Sequence, residues 1–132
     1  MDRKESIEKL EKRLIDFSVM ILNLTEKLPD SRVGRYLSEQ LIRSGISPAL
    51  NYGEARSAES AGDFIHKMKI CLKELRETYI SLNIIQAKNI LKSEQSIIQQ
   101  SVNECNELIA VFVKSIQTVE KNRKSKPVKN NS

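Results

Sequence analysis

The sequence predicts an all-α protein, an antiparallel up-down bundle of four helices, and three observations support this. Apolar residues recur three and four positions apart in separate segments, which is the spacing of one helix face. Of 132 residues, 39% are hydrophobic and 30% charged, with four Gly and three Pro, a composition typical of helical bundles. The connections between the periodic segments are short, so consecutive helices should be antiparallel neighbours. We expect one domain over residues 1–120, with helices at about 4–28, 31–59, 63–87 and 93–120.

The first helix is predicted by a run of large apolar residues that ends at a proline. Their spacing alternates between three and four, as in the seam between packed helices: Ile7, Leu10, Leu14, Phe17, Ile21, Leu24 and Leu28. Pro29 disfavours helix in the residue before it. Asp30 or Ser31 can cap the helix that follows.

The second helix includes part of an unusual stretch, SPALNYGEARSAESAGDF at residues 47–64, which is small and polar. A helix through Pro48 would continue the core along one face, which favours a helix over a loop. Pro48 lacks a backbone donor and crowds the carbonyl of Ser44, so we expect a kink. The core face would consist of Leu37, Leu41, Ser44, Pro48, Tyr52 and Ala55. Gly45, Ala49 and Gly53 add small side chains that let another backbone approach.

The third and fourth helices repeat the apolar spacing. The third should begin after a turn at Gly62 with Asp63 as its cap, and the fourth with Ser93 as its cap. Their predicted seams are Phe64, Met68, Cys71, Leu75, Tyr79 and Leu82, and then Ile98, Val102, Cys105, Ile109, Phe112, Ile116 and Val119. The two cysteines are too few for a disulfide framework or a zinc site, so we interpret them as reduced core thiols.

The net charge of +5 comes entirely from the end of the chain. Residues 121–132 carry five basic side chains and no acid, and we predict a basic disordered tail. In residues 1–120 the basic and acidic side chains balance, although residues 64–92 are basic and residues 93–120 acidic. The charged start and the absence of a long apolar run argue against a secretory signal or a membrane span, so a bacterial, cytoplasmic protein is expected.

A polar stripe runs along the second helix, because five polar residues recur at spacings of three and four: Gln40, Arg43, Ser47, Asn51 and Glu54. We interpret it as a structural network in which Ser47 and Asn51 bridge Arg43 to Glu54. A catalytic role is disfavoured, since no nucleophile, acid–base pair or metal cluster accompanies these residues. No catalytic residue, metal or cofactor is therefore predicted, and the protein is not expected to be an enzyme.

Two helices carry apolar residues beyond one core stripe. The additional residues are Ile15, Val19 and Leu22 on the first helix, and Ile42, Ile46, Ala49 and Leu50 on the second. A monomeric four-helix bundle buries one stripe per helix, so these positions predict contacts between subunits.

The chain resembles the bacterial four helix bundle protein family, also called 23S rRNA intervening-sequence proteins. The resemblance covers most of residues 5–118, and its most specific part is the polar stripe itself. It also rests on Tyr36, Leu37, Leu41, Ile42, Phe64, Leu72, Glu74 and Leu75. The sequence departs from the usual pattern at Pro48 and at Ala55, where a glycine commonly stands.

This resemblance implies a left-handed up-down bundle that assembles into a ring, typically a homopentamer. A similar bundle, the accessory protein of diversity-generating retroelements, works with a reverse transcriptase and nucleic acid. Two functions follow as hypotheses: a nucleic-acid-binding oligomer, with RNA such as ribosomal RNA or DNA as ligand, or a scaffold that binds a protein partner. The nucleic-acid contacts would come from Arg32, Arg35, Lys69, Lys73 and Arg76. No stacking aromatics are interleaved with these cations in the sequence, so sequence-specific readout of a single strand is not expected. Each of these cations could also simply face solvent.

Overall fold

The computed structural model describes residues 2–125, and within them the chain forms four α-helices and no strand. Each helix packs on the next one along the chain, and the fourth contacts the first to close the bundle. The fold is therefore the predicted four-helix bundle. The helices are α1 (Arg3–Thr25), α2 (Arg32–Arg56), α3 (Ala61–Lys88) and α4 (Gln95–Ser125).

Side-chain contacts show that neighbouring helices are antiparallel. The Thr78 hydroxyl donates to Oγ of Ser44 at 2.8 Å, and the Cys71 thiol donates to the carbonyl of Pro48 at 3.4 Å. As residue numbers rise along α2, the numbers of their contacts on α3 fall, so the two helices are antiparallel. Between α3 and α4, the Cys105 thiol donates to the carbonyl of Leu75 at 3.2 Å and the Gln86 amide donates to Gln99 at 2.7 Å, so these two helices are antiparallel as well.

Serine and aspartate side chains set where the first three helices begin. The N-caps are Asp2, Ser31 and Ser60, each accepting a hydrogen bond from a backbone N–H three residues later. Ser31 therefore caps α2. The prediction that Asp63 caps α3 is wrong, because the hydroxyl of Ser60 accepts from the N–H of Asp63 at 3.0 Å. Gly62 consequently lies inside the helix, and Asn89 ends it in the left-handed conformation, with φ of 57°.

The fourth helix begins and ends later than predicted. It starts at Gln95, where the N–H of Ile98 bonds to the carbonyl of Glu94 at 3.3 Å. It continues to Ser125, so the part of the predicted tail at 121–125 is helical. The sequence has no glycine or proline to end the helix before Pro127. Residues 126–132, the rest of the predicted tail, lie outside the described residues.

The core follows the predicted seams, with shifts of one residue at three positions. Every predicted core position of α2 is buried. On α3, Ile65 and Thr78 are buried where Phe64 and Tyr79 were expected, and on α4 Leu108 takes the place of Ile109. Phe64, Tyr79 and Ile109 are partly buried and pack against the core, so each shift moves the fully buried position by one residue at the edge of the same helix face.

The second helix passes through Pro48 without a break. It packs tightly against α1 at Gly45, where an added Cβ would lie 2.7 Å from Cγ2 of Ile21. Gly53 has no neighbouring atom within 4 Å of such a Cβ, so the predicted close approach is found at Gly45 and not at Gly53, and at Ala49 it stays a prediction. The kink at Pro48 stays a prediction.

Both cysteines are free thiols buried in the core. Burial raises the pKa of Cys71 and of Cys105 to about 12. Such thiols carry almost no thiolate at neutral pH, and they serve as small apolar side chains, as the sequence predicted.

Candidate nucleic-acid interface on the second and third helices

An open groove of about 780 Å³ lies on the surface of α2 and α3. Four cations and one acid line it, together with uncharged polar and aliphatic side chains. We call it the cationic groove, and its lining residues are Gln40, Arg43, Lys69, Leu72, Lys73, Arg76, Glu77, Ile80 and Ser81. The groove therefore has an excess of positive charge, whereas basic and acidic side chains balance over residues 1–120 as a whole.

Helical spacing brings three predicted nucleic-acid contacts together on α3. Lys69, Lys73 and Arg76 are separated by four and three residues, which places them along one face. Lys69 forms an ion pair with Glu120 of α4 at 3.3 Å. Among residues 2–125, Lys73 and Arg76 form no ion pair within 4 Å, although the charge of Lys73 helps to lower the pKa of Glu77 in the same groove.

The other two predicted contacts lie elsewhere. Arg35 is at the start of α2, where its guanidinium donates to the carboxylate of Asp30 at 2.8 Å. Arg32 is exposed at the first position of the same helix. Neither lines the cationic groove, because α2 meets the groove only from Gln40 onward.

Arg43 links α2 to α3 through two carboxylates. Its guanidinium donates to Glu74 at 2.8 Å and to Glu77 at 2.5 Å. The carboxylate side chain of Glu74 is 11% exposed, whereas Arg43 is 52% exposed. The hydrogen bond from Arg43 lowers the pKa of Glu77. Arg43 therefore neutralises two acids beside the groove, and its own charge is largely satisfied within the protein.

The polar stripe of α2 divides into three separate groups, which corrects the predicted network. Gln40 accepts from Arg43 at 3.3 Å. Asn51 donates to the hydroxyl of Ser47 at 2.9 Å and to its carbonyl at 3.0 Å. Glu54 pairs instead with Lys67 of α3 at 3.5 Å.

Within the described residues, no bond carries the network from Arg43 through Ser47 to Asn51 and Glu54. Asn51 bonds within its own helix, and the charged members pair across to α3. Sequence reasoning missed the partners Glu74, Glu77 and Lys67. The available signal was opposite charge on consecutive helices.

The additional apolar residues of α1 and α2 lie side by side. The hydroxyl of Ser18 donates to the carbonyl of Gly45 at 3.3 Å, between the two stripes. Several of these side chains stay open to solvent: Ile15 is 51% exposed, Val19 49%, Ile42 41% and Leu50 65%. We call this surface the outer apolar patch, and it consists of Ile15, Val19, Leu22, Ile42, Ile46, Ala49 and Leu50.

The described part of the chain contains neither a cluster of metal ligands nor a membrane-spanning helix. No three side chains among residues 2–125 come together as His, Cys, Asp or Glu ligands for a metal. None of the four helices, as far as they are described, has an apolar stretch sufficient to span a bilayer.

Known proteins with a similar sequence or structure support this fold. The family model of the 23S rRNA-intervening sequence protein matches residues 8–114. A crystal structure of a protein with unknown function from the S23 ribosomal protein family of Bacteroides thetaiotaomicron is similar, with a TM-score of 0.71 and 31% sequence identity. The match covers 80% of this chain and 96% of that chain. No curated protein matches.

The family match extends over most of the four-helix bundle, from the first turns of α1 to the middle of α4. It includes the polar stripe of α2 and the three clustered cations of α3. The chain therefore belongs to the family of 23S rRNA-intervening sequence proteins.

Proposed function

We propose that this protein is a non-enzymatic, homo-oligomeric four-helix bundle that binds nucleic acid through the cationic groove. The observation that carries the proposal is the position of Lys73 and Arg76, two cations without an ion pair in the described chain, beside Lys69. Phosphate contacts of this kind supply most of the non-specific affinity for nucleic acid. RNA, such as ribosomal RNA, is the proposed ligand, in keeping with the family name, and a cytoplasmic location accompanies this proposal.

The outer apolar patch supports self-association. Its large aliphatic side chains adjoin one another across α1 and α2, and exposed apolar surface of this kind commonly marks a protein interface. We propose a ring, most simply a homopentamer. A ring would repeat the cationic groove on each subunit, so weak phosphate contacts would add up over a bound strand.

Salt-dependent RNA binding tests the proposed function. The double variant Lys73→Glu and Arg76→Glu should bind RNA more weakly than the parent, because both substitutions remove phosphate contacts. Each lost contact should reduce the slope of log affinity against log salt by about 0.7 to 0.9. The matched control is Lys4→Glu with Lys9→Glu, which makes the same charge change at exposed positions of α1.

Both pairs should also be measured in a chain that ends at Ser125, which keeps every described helix whole. If the shortened parent loses all binding, residues 126–132 are responsible and the groove is a solvated surface. If the full-length parent does not bind RNA or DNA at low salt, the nucleic-acid proposal is wrong. A scaffold that binds a protein partner would then be the remaining hypothesis.

A further inference from the structure

The cationic groove continues into exposed apolar surface along the contact between α2 and α3. Ile80 lines the groove and is 58% exposed. Ile84, one turn further along α3, is 51% exposed, and Tyr36 of α2 is 61% exposed. Single exposed apolar side chains are ordinary, but a contiguous set beside charged residues indicates a binding surface.

The register of the two helices places these three residues together. Arg43 of α2 contacts Glu77 of α3, and the helices are antiparallel. Tyr36, two turns before Arg43, therefore lies opposite Ile84, two turns after Glu77. Gln40 and Ile80 both line the groove, which agrees with this register. We call Tyr36, Ile80 and Ile84 the apolar end of the groove.

We propose that the groove binds single-stranded nucleic acid, with phosphates on Lys73 and Arg76 and an unpaired base stacked on Tyr36. This inference rests on the proposed function and specifies its ligand. A duplex presents phosphates outward and keeps its base faces stacked inside, so it would leave the apolar end of the groove unused. The bases of a single strand are exposed and can stack on aromatic side chains, and this stacking depends little on which base is present.

The charge on the other side of Tyr36 fits the same ligand. Arg32 precedes Tyr36 by one turn of α2 and is exposed, so both share one face of the helix. Cations thus stand on both sides of the apolar end, an arrangement suited to a backbone that continues past a stacked base. An acidic amphipathic peptide would bring similar chemistry, and the experiment therefore includes one as a competitor.

The test compares one fluorescent single-stranded RNA oligonucleotide with the duplex that it forms with its complement. Binding of the full-length protein is measured by fluorescence anisotropy over a range of salt concentrations. We expect tighter binding of the single strand. Tyr36→Ala should weaken single-strand binding about fivefold or more and leave duplex binding unchanged, whereas Tyr36→Phe should retain the parental affinity because it keeps the ring.

The outcomes separate this inference from the proposed function. Equal affinity for strand and duplex, with both weakened by Lys73→Glu and Arg76→Glu, would show that only phosphates are bound; the inference would be wrong and the proposed function would stand. If those charge substitutions change neither affinity, both proposals fail. Displacement of the RNA by an acidic amphipathic peptide, at concentrations where a scrambled peptide of equal charge has no effect, would assign the groove to a protein partner and overturn the inference.

Discussion

The two sides of α2 differ in how they contact their neighbouring helices. On the side of α1, Gly45 leaves room for the side chain of Ile21 against the backbone of α2, and the surface outside this contact is apolar. On the side of α3, Arg43 and Glu54 form ion pairs, and the surface outside is the cationic groove. One helix thus separates an apolar surface suited to another subunit from a charged surface suited to a ligand.

This difference explains why α2 contains so many small and polar residues. Glycine is required at Gly45, where α1 comes close, and at Gly34, where an added Cβ would meet the carbonyl of Pro29, whereas Arg43 and Glu54 pair with opposite charges on α3. Substitutions on the two sides should therefore have different consequences, and three predictions follow in order of expected size.

The largest effect is expected at the outer apolar patch. Ile46→Asp or Val19→Asp should convert the proposed oligomer to smaller species, since a carboxylate in the proposed apolar subunit contact would lose its hydration. Light scattering should show a several-fold fall in mass while circular dichroism keeps its helical signal. Lys73→Glu with Arg76→Glu is the control on the other side of α2 and should keep the parental mass. A parent chain that is monomeric at micromolar concentration would contradict the prediction.

A medium effect is expected where α1 and α2 approach. Gly45→Ala should lower the free energy of unfolding by about 1–3 kcal/mol, because its Cβ would overlap the fully buried Ile21. Gly53→Ala is the matched control on the same helix, with no atom within 4 Å of the new Cβ. It should raise stability by about 0.4–1 kcal/mol, as alanine favours helix. Denaturant unfolding measures both, and equal effects would mean that the contact at Gly45 is not tight.

The smallest effects are expected among the ion pairs toward α3. Arg43→Ala should cost about 1–2 kcal/mol, because it leaves the nearly buried Glu74 carboxylate without its partner. The loss should not be larger, because Arg43 itself is half exposed and ion pairs at the surface contribute little to stability. Glu54→Ala should cost less than about 0.5 kcal/mol, since Glu54 is 59% exposed and its pair with Lys67 is a surface pair. If Glu54→Ala lowered the free energy of unfolding as much as Arg43→Ala, the result would favour the continuous polar network over the separate ion pairs.

The sequence predicted features set by neighbouring residues better than contacts between residues far apart in the chain. The caps show that even local signals compete. Ser31 was one of two predicted caps and is confirmed, while at α3 the hydroxyl of Ser60 takes the place expected for Asp63. Both are residues that cap helices well, and only the conformation of the preceding turn decides between them.

The sequence alone determined the number of helices, their core faces and the family, because apolar periodicity, proline and capping residues act over a few positions. It also identified Lys69, Lys73 and Arg76 as one face. The tertiary structure decided that Arg43 pairs with Glu74 and Glu77, that Glu54 pairs with Lys67, and that Lys69 pairs with Glu120. It also placed Tyr36 opposite Ile84. Each of these depends on which helices are neighbours and on their register, and that register is fixed by packing of the whole core.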